Sequence, residues 1–183
     1  MIRNEIHRLD RIVTDFLKLA RPSDPHLVPM TAAPLLEEVH NLFAPECEKQ
    51  SIQLKLDSTV DARFLGDPQQ LKQVLINLIT NAAESIDHDG TITLRARLDT
   101  RQLHARETEA VIIEVQDTGS GIPAEIQERL FDPFFSTKET GTGLGLSIVT
   151  QIVDKHGGNL EVQTQPGEGS TFGVVLPVCK EAA

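Results

Sequence analysis

The sequence predicts an α+β two-layer sandwich, a mixed and largely antiparallel sheet covered by helices on one face, preceded by an N-terminal amphipathic helix. Strand-like and helix-like runs are mixed without regular alternation, which disfavours a doubly wound parallel sheet. Two strand-like runs, TITLRARLD at 91–99 and AVIIEVQD at 110–117, succeed one another across a polar loop, as antiparallel neighbours do. Three prolines within residues 21–29 separate the leading helix from the rest of the chain.

From the N-terminus, the apolar positions Ile2, Ile6, Leu9, Val13, Phe16 and Ala20 alternate steps of four and three, widened by Ile12, Leu17 and Leu19. That is the seam of a bundle or coiled-coil helix, and it wants a partner helix. Residues 1–21 are assigned to this helix, 22–30 to a linker, and 31–183 to the main domain. There, residues 31–49 read as a helix with Thr31 as its cap, which Pro45 is expected to kink or interrupt. IQLKLD at 52–57 alternates as a strand. Asp67 opens D-x-x-Q with Pro68 at the first helical position and Gln70 at the third, so a helix should run to Ile86. A short helix at 123–130, a helix at 143–156, and strands at 159–165 and 171–178 complete the expected order.

Length and composition narrow the function. With 183 residues and 39% hydrophobic content, the chain can bury one ordinary core with an appended element. Cys47 and Cys179 belong to no CxxC or Cys/His cluster, so both read as small buried hydrophobes in a reducing compartment, without structural zinc. No apolar run approaches the ~20 residues of a membrane span. The expectation is a cytoplasmic fragment without membrane contact. A net charge of -10 argues against a nucleic-acid surface. Any phosphate ligand must therefore be held locally, by backbone amides, a metal ion and a few cations.

Five short motifs carry chemistry. QVLINLITNAAES at 73–85 places Asn77 and Asn81 four apart on one helical face beside an apolar stripe. Their amides either bond nearby backbone or offer carbonyl oxygens to a hard cation such as Mg²⁺. DTGSGIP at 117–123 leaves a strand end with a carboxylate and two spaced glycines. It is either a tight turn, or a site where Asp117 accepts from an exocyclic amine while Gly119 and Gly121 let a flat ring lie against the backbone. Adenine presents such a donor; guanine presents a carbonyl there. FDPFF at 131–135 precedes Gly141, Gly143 and Gly145, spaced two apart where an apolar helix begins, a pattern suited to phosphate approaching bare N–H groups. GEGSTF at 167–172 is a further glycine turn, which a hairpin alone would explain.

In that order the motifs resemble the catalytic, ATP-binding domain of two-component sensor histidine kinases, within the superfamily shared with gyrase-type topoisomerases, heat-shock chaperones and mismatch-repair ATPases. The resemblance covers residues 28–178. It implies that Asn81, helped by Asn77, binds Mg²⁺ and that Asp117 reads adenine. The ATP site would also include Gly119, Gly121, Ile122, Phe131, Lys138, Gly141, Thr142, Gly143, Leu144, Gly145, Leu146 and Thr171, under a lid at 132–142 whose start Phe131, Phe134 and Phe135 anchor by packing on the domain. EIHRLDRIVTDFLKLARP is similar to the second helix of the dimerisation hairpin in nitrogen-regulation kinases. The implied partners are ATP, a histidine-bearing dimerisation helix in a homodimer, and a response-regulator receiver domain. Two features depart from the family. Glu84 stands where many relatives carry Lys or Arg, and no histidine has the phosphoacceptor motif, because Arg8 follows His7 and His88-Asp89 runs into Gly90. The first hairpin helix is not recognisable either, so this chain should not phosphorylate itself.

Overall fold

A computed structural model of the chain describes residues 13, 14, 16, 17, 23–57, 60–138 and 141–179. Of the leading helix expected over 2–20, Val13, Thr14, Phe16 and Leu17 are helical, and the remainder lies outside the described residues.

The main sheet has five strands in the order β2-β4-β5-β7-β6, formed by Gln53–Leu56 (β2), Thr91–Leu103 (β4), Arg106–Asp117 (β5), Asn159–Gln165 (β6) and Gly169–Pro177 (β7). All neighbours are antiparallel except β2 and β4. Val28–Met30 (β1) and Phe64–Gly66 (β3) pair separately as a short antiparallel ribbon. The last three residues of the expected linker are thus part of the folded domain.

Three helices cover the inner face: Ala32–Lys49 (α1), Pro68–Ser85 (α2) and Gly145–Lys155 (α4). Ala124–Gln127 (α3) is a single turn. Leu36, Leu71, Leu75, Leu78 and Ile79 from the helices meet Ile92, Leu94, Ile113 and Leu176 from the strands, all essentially inaccessible to water. The outer face carries a small buried apolar cluster of Leu103, Ala110, Ile112 and Val175 together with ion pairs. Glu114, buried in β5, pairs with Arg95 and with Arg97 (3.0 Å), and Arg101 reaches Glu161 on β6 at 2.9 Å. A layer of helices on one face of a largely antiparallel sheet is the predicted two-layer arrangement.

Three details differ from expectation. Pro45 neither interrupts nor ends α1, which continues to Lys49. The carbonyl it leaves without a partner belongs to exposed Asn41, where water can satisfy it. Thr31 stands at the N-cap of α1 but makes no side-chain capping bond. At α2 the cap is as predicted on one side only. Asp67 accepts from Gln69 N at 2.9 Å and Gln70 N at 3.1 Å, whereas its own N–H goes to His156 Nε2 at 3.0 Å instead of to Gln70. Gln70 is used elsewhere: its Nε2 donates to Ser23 O and Oγ, both at 3.2 Å. With Lys155 Nζ on Asp24 (2.9 Å) and His26 N on Asp67 Oδ2 (2.9 Å), residues 23–26 are fastened where α2 begins and α4 ends.

Candidate functional site

Helix α2 measures out the site. Its last residue, Ser85, donates to Asp117 Oδ1 at 3.0 Å, and Asn77 Nδ2 donates to the Gly145 carbonyl at 3.2 Å. At the α-helical rise these two anchor residues are ~12 Å apart, with Asn81 midway, about one turn from each. Alongside runs a cleft of about 470 Å³. Of the residues predicted from sequence, Asn77, Asn81, Asp117, Gly121, Ile122 and Lys138 line it, as do Gly141, Thr142, Gly143, Gly145 and Leu146.

The structure does not bring Gly119, Phe131, Leu144 and Thr171 to the cleft wall. Gly119 sits behind Asp117, where its N–H donates to Oδ1 at 2.8 Å and an added Cβ would lie 2.6 Å from the Ser85 carbonyl oxygen. It supports the carboxylate and does not face a ring. Leu144 is fully buried in the core, and Phe131 stands exposed beside the cleft. Thr171 lies on the other face of β7. Side chains alternate along a strand, so Ser170 and Phe172 line the cleft in its place. The sequence reading misses these two by one position and misses Ser85 altogether. A serine directly after Glu84, about one turn beyond Asn81 and two beyond Asn77, is the available signal for Ser85.

Asp117 is only 4% exposed, and burial raises its carboxyl above the ordinary 3.8. The donors Gly119 N–H, Ser85 hydroxyl and the Ser170 backbone, together with the positive charge of Lys138, oppose that rise. A dry carboxylate held from behind is a directional acceptor. At the other end, α4 begins with no side-chain cap. Its first N–H groups therefore lack intrahelical partners and carry the positive end of the helix dipole into the cleft at Gly145 and Leu146.

The three spaced glycines serve different ends. Gly143 has φ +68, and a Cβ there would meet the Phe134 carbonyl carbon at 2.4 Å, so this glycine admits the chain's own backbone. At Gly141 the obstacle is the Ser136 hydroxyl at 2.2 Å. Only Gly145 has nothing within 4 Å, which makes it the glycine that leaves room for a ligand.

The phenylalanine cluster also differs from expectation. Phe135 is half-buried, lines the cleft and carries the Arg129 guanidinium 4.2 Å above its ring. Phe134, with φ +66, is 59% exposed and its ring centroid lies 6.4 Å from that of Phe16. It does not pack into the domain.

The residues fit a magnesium ion through one amide. Asn77 is committed on both atoms, since its Oδ1 accepts from Gln73 Nε2 at 3.1 Å while Nδ2 holds Gly145. Asn81 lines the cleft and its side chain has no hydrogen-bond partner among the described residues. Its carbonyl is the free hard oxygen. No cluster of three acidic, histidine or cysteine side chains that could hold a metal occurs among the described residues, so phosphates and water would supply most of the coordination.

Compared with known proteins, residues 66–180 match the family described as histidine kinase-, DNA gyrase B-, and HSP90-like ATPase. The chain belongs to this family. Within it the chain is a catalytic ATP-binding domain of the sensor histidine kinase type. The sensor histidine kinase ZraS of Salmonella typhi is 36% identical over 179 residues, spanning 97% of this chain and 37% of the relative. Sporulation kinase C of Bacillus subtilis is 34% identical over 180 residues, spanning 97% and 40%. The chain therefore spans about two fifths of these relatives' length. Among solved structures, the catalytic domain of histidine kinase ThkA superposes with TM-score 0.70 at 34% identity, covering 84% of this chain and 96% of that one. Full-length ShkA in complex with AMPPNP gives TM-score 0.83 at 28% identity, covering 99% and 38%. ThkA in complex with the response regulator TrrA gives 0.78 at 32%, covering 100% and 51%. As a member of the kinase-type ATPases, the domain gathers its sequence motifs around one cleft. No helix among the described residues is long and apolar enough to cross a membrane.

Proposed function

We propose that this domain binds Mg-ATP and transfers its γ-phosphoryl group to a histidine on a dimerisation hairpin, for relay to an aspartate of a response regulator. In this reading residues 1–21 are the second hairpin helix, 22–30 the connection, and 31–183 the ATP-binding domain. The observation that carries it is the spacing along α2: an amine-accepting carboxylate and an open helix N-terminus ~12 Å apart, with a free amide oxygen between them. A nucleotide with its base at one end and phosphates at the other has this layout.

Asp117 would accept from the adenine amine, Ile122 and Phe172 would flank the base, and the amides at Gly145 and Leu146 with Lys138 would receive the phosphates. Asn81 would hold magnesium, which neutralises phosphate charge during transfer. A histidine nitrogen would then attack the γ-phosphorus in line, the bond to the bridging oxygen would break, and ADP would leave. The domain's contribution is position and charge.

Among the described residues no histidine lines the cleft, and His156 has both ring nitrogens engaged, with Asp67 N and Ile152 O. Asn77, an amide bonded on both atoms, cannot accept a proton from water, which disfavours ATP hydrolysis. A non-catalytic scaffold is disfavoured by a cleft that retains carboxylate, amide and helix terminus together. Incubation with labelled Mg-ATP tests the proposal. The chain alone should bind nucleotide without acquiring phosphohistidine, and a hairpin dimer bearing the acceptor, supplied separately, should become labelled. Acid-labile, base-stable phosphate on the chain alone, or ATP consumption without hairpin labelling, would overturn it.

A further inference from the structure

Glu84 and Lys138 close the mouth of the cleft. Lys138 Nζ lies 2.5 Å from Glu84 Oε2, and both side chains line the cavity. Lys138 is the only lysine, arginine or histidine among the described lining residues, and Asp117 the only other acid. Among the described residues, the one cation lining the cleft is therefore held by a carboxylate. Glu84 lies three positions after Asn81 on α2, so the two side chains leave the same face about one turn apart. Lys138 is presented by a tight turn in which its N–H donates to Ser136 Oγ at 3.1 Å.

An ion pair between half-exposed side chains holds weakly, whereas a triphosphate offers several negative oxygens to the same ammonium group. Exchange of Lys138 onto phosphate leaves the Glu84 carboxylate bare beside those oxygens and one helical turn from the free carbonyl of Asn81. A negative charge there repels metal-free triphosphate and attracts a hard divalent cation, which takes carboxylate oxygen directly or through a water it retains. We propose that Glu84 is a divalent-cation ligand of the nucleotide site, uncovered when phosphate draws Lys138 away, and that it makes the site select metal-bound over metal-free triphosphate. The inference rests on the ATP reading above.

Titration calorimetry with a non-hydrolysable ATP analogue, in excess magnesium and in EDTA, tests it. The unsubstituted protein should prefer the magnesium form. Glu84→Gln should weaken binding in magnesium and strengthen it in EDTA, so that the ratio of the two affinities falls by roughly three- to a hundredfold. That range is the interaction of unit charges one helical turn apart, between the dielectric of water and that of a protein surface. Lys138→Ala should weaken EDTA binding further, and adding Glu84→Gln to it should recover part of the loss. Manganese affinity in the presence of the analogue, read by electron paramagnetic resonance, should fall in Glu84→Gln. Equal shifts of both affinities, an unchanged ratio, or undiminished manganese affinity would overturn the metal role. Failure of the unsubstituted protein to bind the analogue in either condition would instead overturn the ATP reading, and this inference with it.

Discussion

Replacing Asp117 by Asn isolates the carboxylate's role in nucleotide recognition. The native side chain is 4% exposed, its Oδ1 held by Gly119 N at 2.8 Å and Ser85 Oγ at 3.0 Å. Those two donors keep the amide oxygen of the variant in the Oδ1 place, which turns the new NH₂ toward the cleft. There it meets the adenine amine donor to donor. A hydrogen bond to a charged group contributes about 1.5–3 kcal/mol, so ATP affinity should fall about ten- to a hundredfold. GTP, which presents a carbonyl at that edge, should lose less, and discrimination between the two should shrink. Calorimetric titration of both nucleotides against both proteins is the assay. Acidification adds a second reading. Since burial raises the Asp117 pKa above 3.8, the protonated carboxyl stabilises the fold below that value, and this contribution is lost as pH rises through the folded pKa. ATP binding has the opposite sense, because it needs the ionised acceptor. Affinity should therefore decline with acidification at a higher pH than an exposed aspartate would produce, and the decline should vanish in Asp117→Asn. Undiminished ATP affinity in the variant, with an unchanged pH profile, would refute the placement of the base at Asp117.

Gly145→Ala and Gly119→Ala should behave oppositely. A Cβ at Gly145 meets nothing within 4 Å, so melting should stay put or rise by up to the ~1 kcal/mol alanine gains over glycine in a helix, while nucleotide affinity drops. At Gly119 it meets Ser85 backbone at 2.6 Å, so thermal denaturation should show a loss of roughly 1–3 kcal/mol typical of overpacking. Asn81→Ala should weaken ATP binding in magnesium far more than in EDTA, measured by titration, since a metal ligand matters only when metal is there; equal losses would point to packing or to a direct nucleotide contact.

Much of the architecture can be read from sequence because its signals are local. Asp67-Pro68 starts α2 where expected, and the continuous apolar run of β5, buried on both faces, is visible in AVII. The β4–β5 hairpin reads short because its turn is made by His104 and Ala105, at φ +50 and +61, without the glycine or asparagine that usually marks positive φ. β1 and β3, three residues each, are too short to show a period and form by pairing with each other, with Phe64 also bridging Val178. At the site, residue types are legible and neighbours are not. A glycine records that a side chain is excluded but not by what, so Gly119 looks like a ligand contact in the sequence although Ser85 fills its space, and Gly143, which does line the cleft, owes its missing side chain to Phe134. Thr171 against Ser170 is a one-residue question of strand face, which a sequence ending a turn in Gly-Glu-Gly does not fix.

The fastening of residues 23–26 sets where the leading segment leaves the domain. Lys155, the last residue of α4, grips Ser23 and Asp24, while Gly145, the first, opens on the cleft. The point of departure and the cleft thus lie at the two ends of one helix ~16 Å long. Seven positions before the fastening in sequence, the Phe16 ring lies beside that of Phe134, next to the glycine segment. Residues 23–26 thus tie the chain's exit to the end of α4 that lies farthest from a cleft they do not line.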